Sequence, residues 1–310
     1  MSGPVLEIRC AACSAELTVE PHLRTARCPY CDSTSVVERP SGRDRPDPSF
    51  VVGFVLGRDA AVELVHGWLS TRHLLAHGGL KAAALEKTSG VYVPAYLYGA
   101  IADSEYSASI GEDYTVTETY TTTDAKGHTT THTRTRTETE WRPLAGRRSG
   151  YVLDVLVTAS RGLPNAELEA IEPFDLRALR RYDPALLAGW IGEEPSLTLD
   201  ECFQLAHDEA VAGVGERLAD FMPGDSHDDL SHRTELRDEH IDLVLLPVWV
   251  FAARYDPAKP PVRLVVNGQS GEIHGKVPLS APRVVLAVVL GVLVLAAIVL
   301  CVLWAVEHLG

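Results

Sequence analysis

Residues Val284 to Val306 read VVLAVVLGVLVLAAIVLCVLWAV, 23 positions without a charge. No other feature restricts this chain as much. At 1.5 Å per residue a helix of that length spans roughly 34 Å, enough for a hydrocarbon core about 30 Å thick. A helix buried in a soluble core is seldom apolar on every face for six turns. A single transmembrane helix, 283–306, with a short tail at 307–310 is therefore expected. Trp304 stands near its end, where an interfacial aromatic belongs. Lys276 and Arg283 precede the span, and no Lys or Arg follows it. The positive-inside rule then places the bulk of the chain on the cytoplasmic side of the inner membrane, as a single-pass, tail-anchored protein. The opening MSGPVLEIRC lacks the apolar core of a signal peptide, in keeping with that expectation.

The other strong signal is at the opposite end. Cys10 and Cys13 form one C-x-x-C pair, and Cys28 and Cys31 form another. Four thiolates at this spacing suit a tetrahedral cage for one Zn²⁺, and an all-cysteine site leaves no position open for substrate, so the ion would be structural. A rubredoxin-like iron site, two disulfides or a redox pair are the competing readings; a redox pair needs no matched second pair. Alternation in Val5–Arg9, Glu16–Glu20, Arg24–Arg27 and Ser35–Glu38 suggests short strands around the knuckles. A module this small has too little core to fold by burial alone, so the metal would stabilise it. The expected ribbon covers 1–39, and 40–49, within the run ERPSGRDRPDPS of 38–49, is a Pro- and charge-rich linker.

The span 50–282 reads as a mixed, β-rich cytoplasmic domain with amphipathic helices, giving an α+β class for the chain. Asp59–Leu69 has helical periodicity, with Asp59 as the expected N-cap and Val62, Val65, Trp68 and Leu69 on one face. Asp200–Phe221 is the clearest helix, with Phe203, Ala206, Ala210, Val214, Leu218 and Phe221 in register and Pro223–Gly224 as its stop. Leu243–Ala253 and Val262–Asn267 read as strands, with NGQSGE as the following turn. Thr recurs at every second position in 114–141, so this stretch is expected to be a long polar hairpin turning at Asp124–Gly127. The pattern apolar–apolar–Pro–x–aromatic–apolar occurs at Tyr92–Leu97 and again at Leu245–Val250, each read as opening a strand of one sheet.

Charge excludes more than it identifies. The net charge is −14, and the interval Arg161–Asp242 holds 20 acidic and 7 basic residues. The ribbon carries 4 basic and 5 acidic residues. Neither offers a counterion-releasing patch, which argues against nucleic acid as a partner. Asp225–His232 (DSHDDLSH) reads as a mobile polar loop rather than a metal site, and His128 and His132 lack ligand neighbours at suitable spacing. No G-x-x-x-x-G-K-[ST], H-E-x-x-H or G-x-S-x-G is present, so no enzymatic role is expected.

The knuckles, GVYVPAYLYGA, the IEPFDL…LLAGW…EE stretch of Ile171–Glu194, LPVWVFAARY and NGQSGEIHGKVPLS follow one another in an order that resembles a bacterial family of membrane-anchored zinc-ribbon proteins. Its members are often labelled transcription-factor-IIB-type zinc-ribbon or primosomal-protein-N′/helicase-like. The resemblance covers most of the chain apart from the Thr-rich hairpin. It implies a non-catalytic adaptor that recruits phage-shock-protein-A-like or SPFH-domain proteins of envelope-stress systems to the membrane. The alternative is a membrane-tethered nucleic-acid binder or regulator. Oligomeric state is left open.

Overall fold

The computed structural model describes residues 6–9, 16–19, 23–27, 34–36, 46–71, 76–123 and 129–309. In chain order its elements begin with strands β1 (Leu6–Arg9), β2 (Glu16–Val19), β3 (Thr25–Arg27), β4 (Thr34–Val36) and β5 (Phe50–Val51). Helix α1 (Arg58–Ser70) and two long strands, β6 (Ala84–Thr123) and β7 (Thr129–Thr158), come next. They are followed by α2 (Asn165–Glu169), β8 (Arg180–Arg181), β9 (Ile191–Gly192), α3 (Leu199–Phe221) and β10 (Ser226–Arg254). The chain ends in β11 (Val262–Asn267), β12 (Ile273–Gly275) and α4 (Ala281–Leu309). It is a strand-rich, mixed α and β architecture. Two compact units divide it: Met1–Ala95 with Thr158–Thr198 and Leu243–Gly310, and Tyr96–Val157 with Leu199–Asp242.

In the first unit β11 lies antiparallel between β12 and the Leu243–Arg254 part of β10, in a register running from Val248↔Asn267 to Ala253↔Val262. Short β5 pairs parallel with β10 at Val244 and Leu245. Helix α1 covers this sheet through Ala61, Val65 and Leu69, four residues apart, which join Trp249, Phe251, Leu264 and Val266 in one core. Its N-cap is Gly57, with no side-chain cap, rather than the expected Asp59. Asp59 stands in the first turn, where a carboxylate still favours the positive end of the helix dipole.

The NGQSGE turn is fastened from inside. Asn267 is fully buried; its amide donates to the carbonyls of Ile171 and Pro173, and its Oδ1 accepts from the backbone N–H of Gln269 and Ser270. One side chain therefore shapes the hairpin and holds the 171–173 segment against it. Gly271 completes the turn at φ 80°, a conformation that disfavours any side chain.

Both Pro-containing repeats lie inside long strands rather than at their starts. The Pro94 carbonyl accepts from Ala159 N and the Pro247 carbonyl from Gly268 N, so each proline still contributes its acceptor to a neighbouring strand or turn.

The second unit places β6, β7 and β10 side by side, β6 pairing with both of the others. Helix α3 contributes Cys202, Ala206, Ala210, Val214 and Leu218 as its buried row. Cys202 thus takes the place expected for Phe203. Phe221, expected inside, is half exposed, with the Arg148 guanidinium 4.0 Å from its ring centroid. Burial, then the nearby Glu201 charge, pushes the Cys202 thiol up to about 11, which makes it an inert core group. Asp225–His232, expected as a loop, instead leads into β10. Sheet context overrides its weak strand propensity, and Asp229 and Asp238 absorb the irregularity at φ 52°.

Candidate functional site

Within the first unit, residues 23–25 are clamped to the segment 190–194. Leu23 bridges Glu193, Arg24 N–H donates to the Gly192 carbonyl, and the Thr25 hydroxyl donates to the Trp190 carbonyl while accepting from Gly192 N–H. Arg24 then drives its guanidinium under this contact. It is 6% exposed and meets Glu194, 3% exposed, at 3.0 Å, with the Tyr182 ring 5.8 Å away. Burial works against the Arg24 charge, but the Glu194 carboxylate and Tyr182 together more than offset it and hold the pKa above its usual value. Residues 23–27 are therefore seated by backbone and ion-pair contacts. Residues 40–45 lie outside the described residues.

This docked segment forms one wall of an open groove of ≈ 1310 Å³. Arg27, Arg58, Lys87 and Arg263 line it against one carboxylate, Glu193. Glu193 accepts from the Ser160 hydroxyl at 2.6 Å, and Arg263 lies 3.4 Å from Glu167. In a chain of net charge −14 this is a local reversal of sign, and it favours anionic segments at encounter.

The groove floor is aromatic and rigid. Trp190 stacks on Phe54 with centroids 3.9 Å apart and planes at 6°, and Trp249 meets both rings edge-on. The Trp249 indole N–H donates to the Leu56 carbonyl. A Cβ at Gly90 would lie 2.5 Å from Trp190, so glycine is what lets this indole lie against β6. No His or Cys lines the groove among the described residues. What the site offers is binding surface: exposed cations above a packed aromatic floor.

Cys10, Cys13, Cys28 and Cys31 lie outside the described residues. The strands flanking them are described. β1 pairs antiparallel with β2, ending at Arg9↔Glu16, and β3 with β4, ending at Arg27↔Thr34. Each C-x-x-C therefore begins at the residue directly after a hairpin's first strand, at the same offset in both. Among the described residues no group of three or more His, Cys, Asp or Glu is placed to hold a metal ion. His132 is engaged otherwise, stacked on Tyr120 and bonded to the Thr122 hydroxyl; His128 lies outside the described residues.

Nothing local in the sequence marks the groove. Its cations come from β3, α1, β6 and β11, and Arg24 reaches a partner 170 positions away. The C-terminal helix is plainer. Ala281–Val299 has mean hydropathy 2.7 and is wholly unburied, long and apolar enough to cross a membrane. Its start is tied to the first unit: His77 N–H donates to the Pro278 carbonyl and Arg283 Nη1 to the Ala76 carbonyl.

No family model matches the chain, and no solved structure matches it. A curated relative, "Uncharacterized protein YdjG" of Bacillus subtilis (strain 168), is 24% identical over 253 residues, 76% of this chain. The match spans 65% of that relative, less than two thirds of its length.

Proposed function

We propose that this chain is a non-catalytic, tail-anchored adaptor that holds an acidic protein segment in the basic groove at the cytoplasmic face of the inner membrane. The observation that carries this reading is the convergence of Arg27, Arg58, Lys87 and Arg263 on one groove of an otherwise acidic chain. A structural Zn²⁺ held by Cys10, Cys13, Cys28 and Cys31 would order the module that supplies Arg27; the matched offsets of the two pairs within their hairpins support it. Phage-shock-protein-A-like and SPFH-domain proteins are the partners that the family resemblance implies.

The same cations favour a second reading, a membrane-tethered nucleic-acid binder. Its weakness is the floor. Trp249 is 5% exposed and Trp190 is already stacked on Phe54, so neither indole is free to receive a base.

The test uses detergent-solubilised full-length chain and its Arg58→Glu/Lys87→Glu variant. Both positions are exposed, so unfolding should be unchanged. An acidic peptide probe is expected to bind the variant at least about tenfold more weakly, since like charges brought together at an interface cost several kcal/mol. Equal binding by both proteins would remove the groove from the account. Tighter, salt-sensitive binding of a DNA oligomer than of the peptide would replace the adaptor reading with the second one.

A further inference from the structure

β6 and β7 continue as a ribbon beyond the core of the second unit. Side-chain pairs across it, among them Glu112–Arg142, Glu118–Arg136 and Thr122–His132, show that its strands run antiparallel. Because strand side chains alternate, these pairs also sort its faces. One face carries Tyr114, Glu118 and Tyr120 opposite His132, Arg136 and Glu138, with its charges and rings paired across the strands. The other face is threonine at every position: Thr115, Thr117, Thr119 and Thr121 on β6, and Thr131, Thr133, Thr135, Thr137 and Thr139 on β7. All of them are exposed. Among the described residues of this face, charge returns at the base, where Asp113 takes the Thr139 hydroxyl at 2.6 Å.

A two-stranded ribbon bare on both faces has no core and is marginal in water. The threonine face is what a second layer would cover, and we infer that a second copy of this chain covers it. Three properties select that occupant. The face is uncharged, so two copies can meet without burying an ion, whereas their opposite faces would bring charge onto charge. A hydroxyl both donates and accepts, so hydroxyl rows facing each other across a two-fold axis can satisfy one another, while their methyls pack. β-Branched side chains are already fixed at χ1 and lose little entropy on contact.

Size decides where the contact holds. About nine residues per arm at about 3.3 Å, two strands wide, give a strip of roughly 30 by 10 Å. Two such strips bury well under the 1,200 Å² or so of a stable soluble interface. The dimer is therefore weak in solution and forms when α4 confines copies to one bilayer, raising their effective concentration. It rests on the anchoring reading.

The experiment counts photobleaching steps of singly labelled full-length protein in phosphatidylethanolamine/phosphatidylglycerol vesicles at low protein-to-lipid ratio. Wild type is expected to show two-step spots, and Thr119→Lys/Thr135→Lys to lower the association constant at least about tenfold. Arg134→Thr, on the opposite face, should behave as wild type. Circular dichroism checks that the lysine variant keeps its strands. Vesicle-inserted wild type that bleaches in one step overturns the dimer while leaving the anchor standing. Two-step spots from both wild type and the lysine variant overturn the threonine face. Failure of wild type to insert overturns the anchor itself, and the dimer with it.

Discussion

Glu194→Ala is expected to destabilise the first unit by about 3 kcal/mol, the low end of what removing one partner of a buried ion pair costs. The substitution strands the Arg24 guanidinium beneath the docked segment. Asp47, 3.5 Å from Arg24, cannot take over, because its side chain is 68% exposed and its attraction is screened by water. Arginine is not deprotonated in proteins, so the guanidinium has no route to neutrality in the variant. Denaturant unfolding of the full-length protein in detergent measures the loss. Limited proteolysis should show new cleavage near Leu23–Arg27, since the same residue anchors that segment. The double variant Arg24→Met/Glu194→Leu should recover most of the stability, because it removes both charges and keeps the volume. An unchanged midpoint in Glu194→Ala would mean that the backbone contacts to Gly192 and Trp190 alone seat the N-terminal module.

Trp190→Ala is expected to cost about 3–4 kcal/mol, the range for deleting a large aromatic from a packed site. Phe54 loses its stacked partner, Trp249 and Tyr92 lose an edge contact each, and Gly90 cannot fill the space from the other side. The Trp190 carbonyl that receives Thr25 survives, so the docked segment should stay in place. The effect should therefore be a lower unfolding midpoint and an altered near-ultraviolet aromatic signal, without the N-terminal cleavage expected of Glu194→Ala. Cleavage in both variants would show that the floor and the clamp are one cooperative structure.

What the sequence displays is what is local. The period of α3, the alternation of the Thr-rich arms, the NGQSGE turn and the apolar α4 each arise from neighbouring residues, and each lies where the pattern suggests. Most of the departures arise from contacts distant in sequence. Asp225–His232 is polar enough for a loop, yet β6 offers it a strand to join. Asp59 has the chemistry of a cap, but Gly57 takes that place. Ala206, Ala210, Val214 and Leu218 of α3 are buried as their spacing suggests, while at the ends of the stripe Cys202 is buried in place of Phe203 and Phe221 is half exposed. The basic groove has no signature because its cations are drawn from four separate elements. Asn267 looked like a turn residue only; its donation to Ile171 and Pro173 depends on contacts about 95 positions distant.

The central claim is that α4 fixes this chain to a bilayer, since both the adaptor reading and the paired threonine faces depend on it. Alkaline extraction of membranes from cells expressing the full chain, beside a form ending at Ser280, tests it most directly. The full chain should stay with the bilayer pellet and the shortened form should move to the supernatant. Release of the full chain, or retention of the shortened one, would contradict the account.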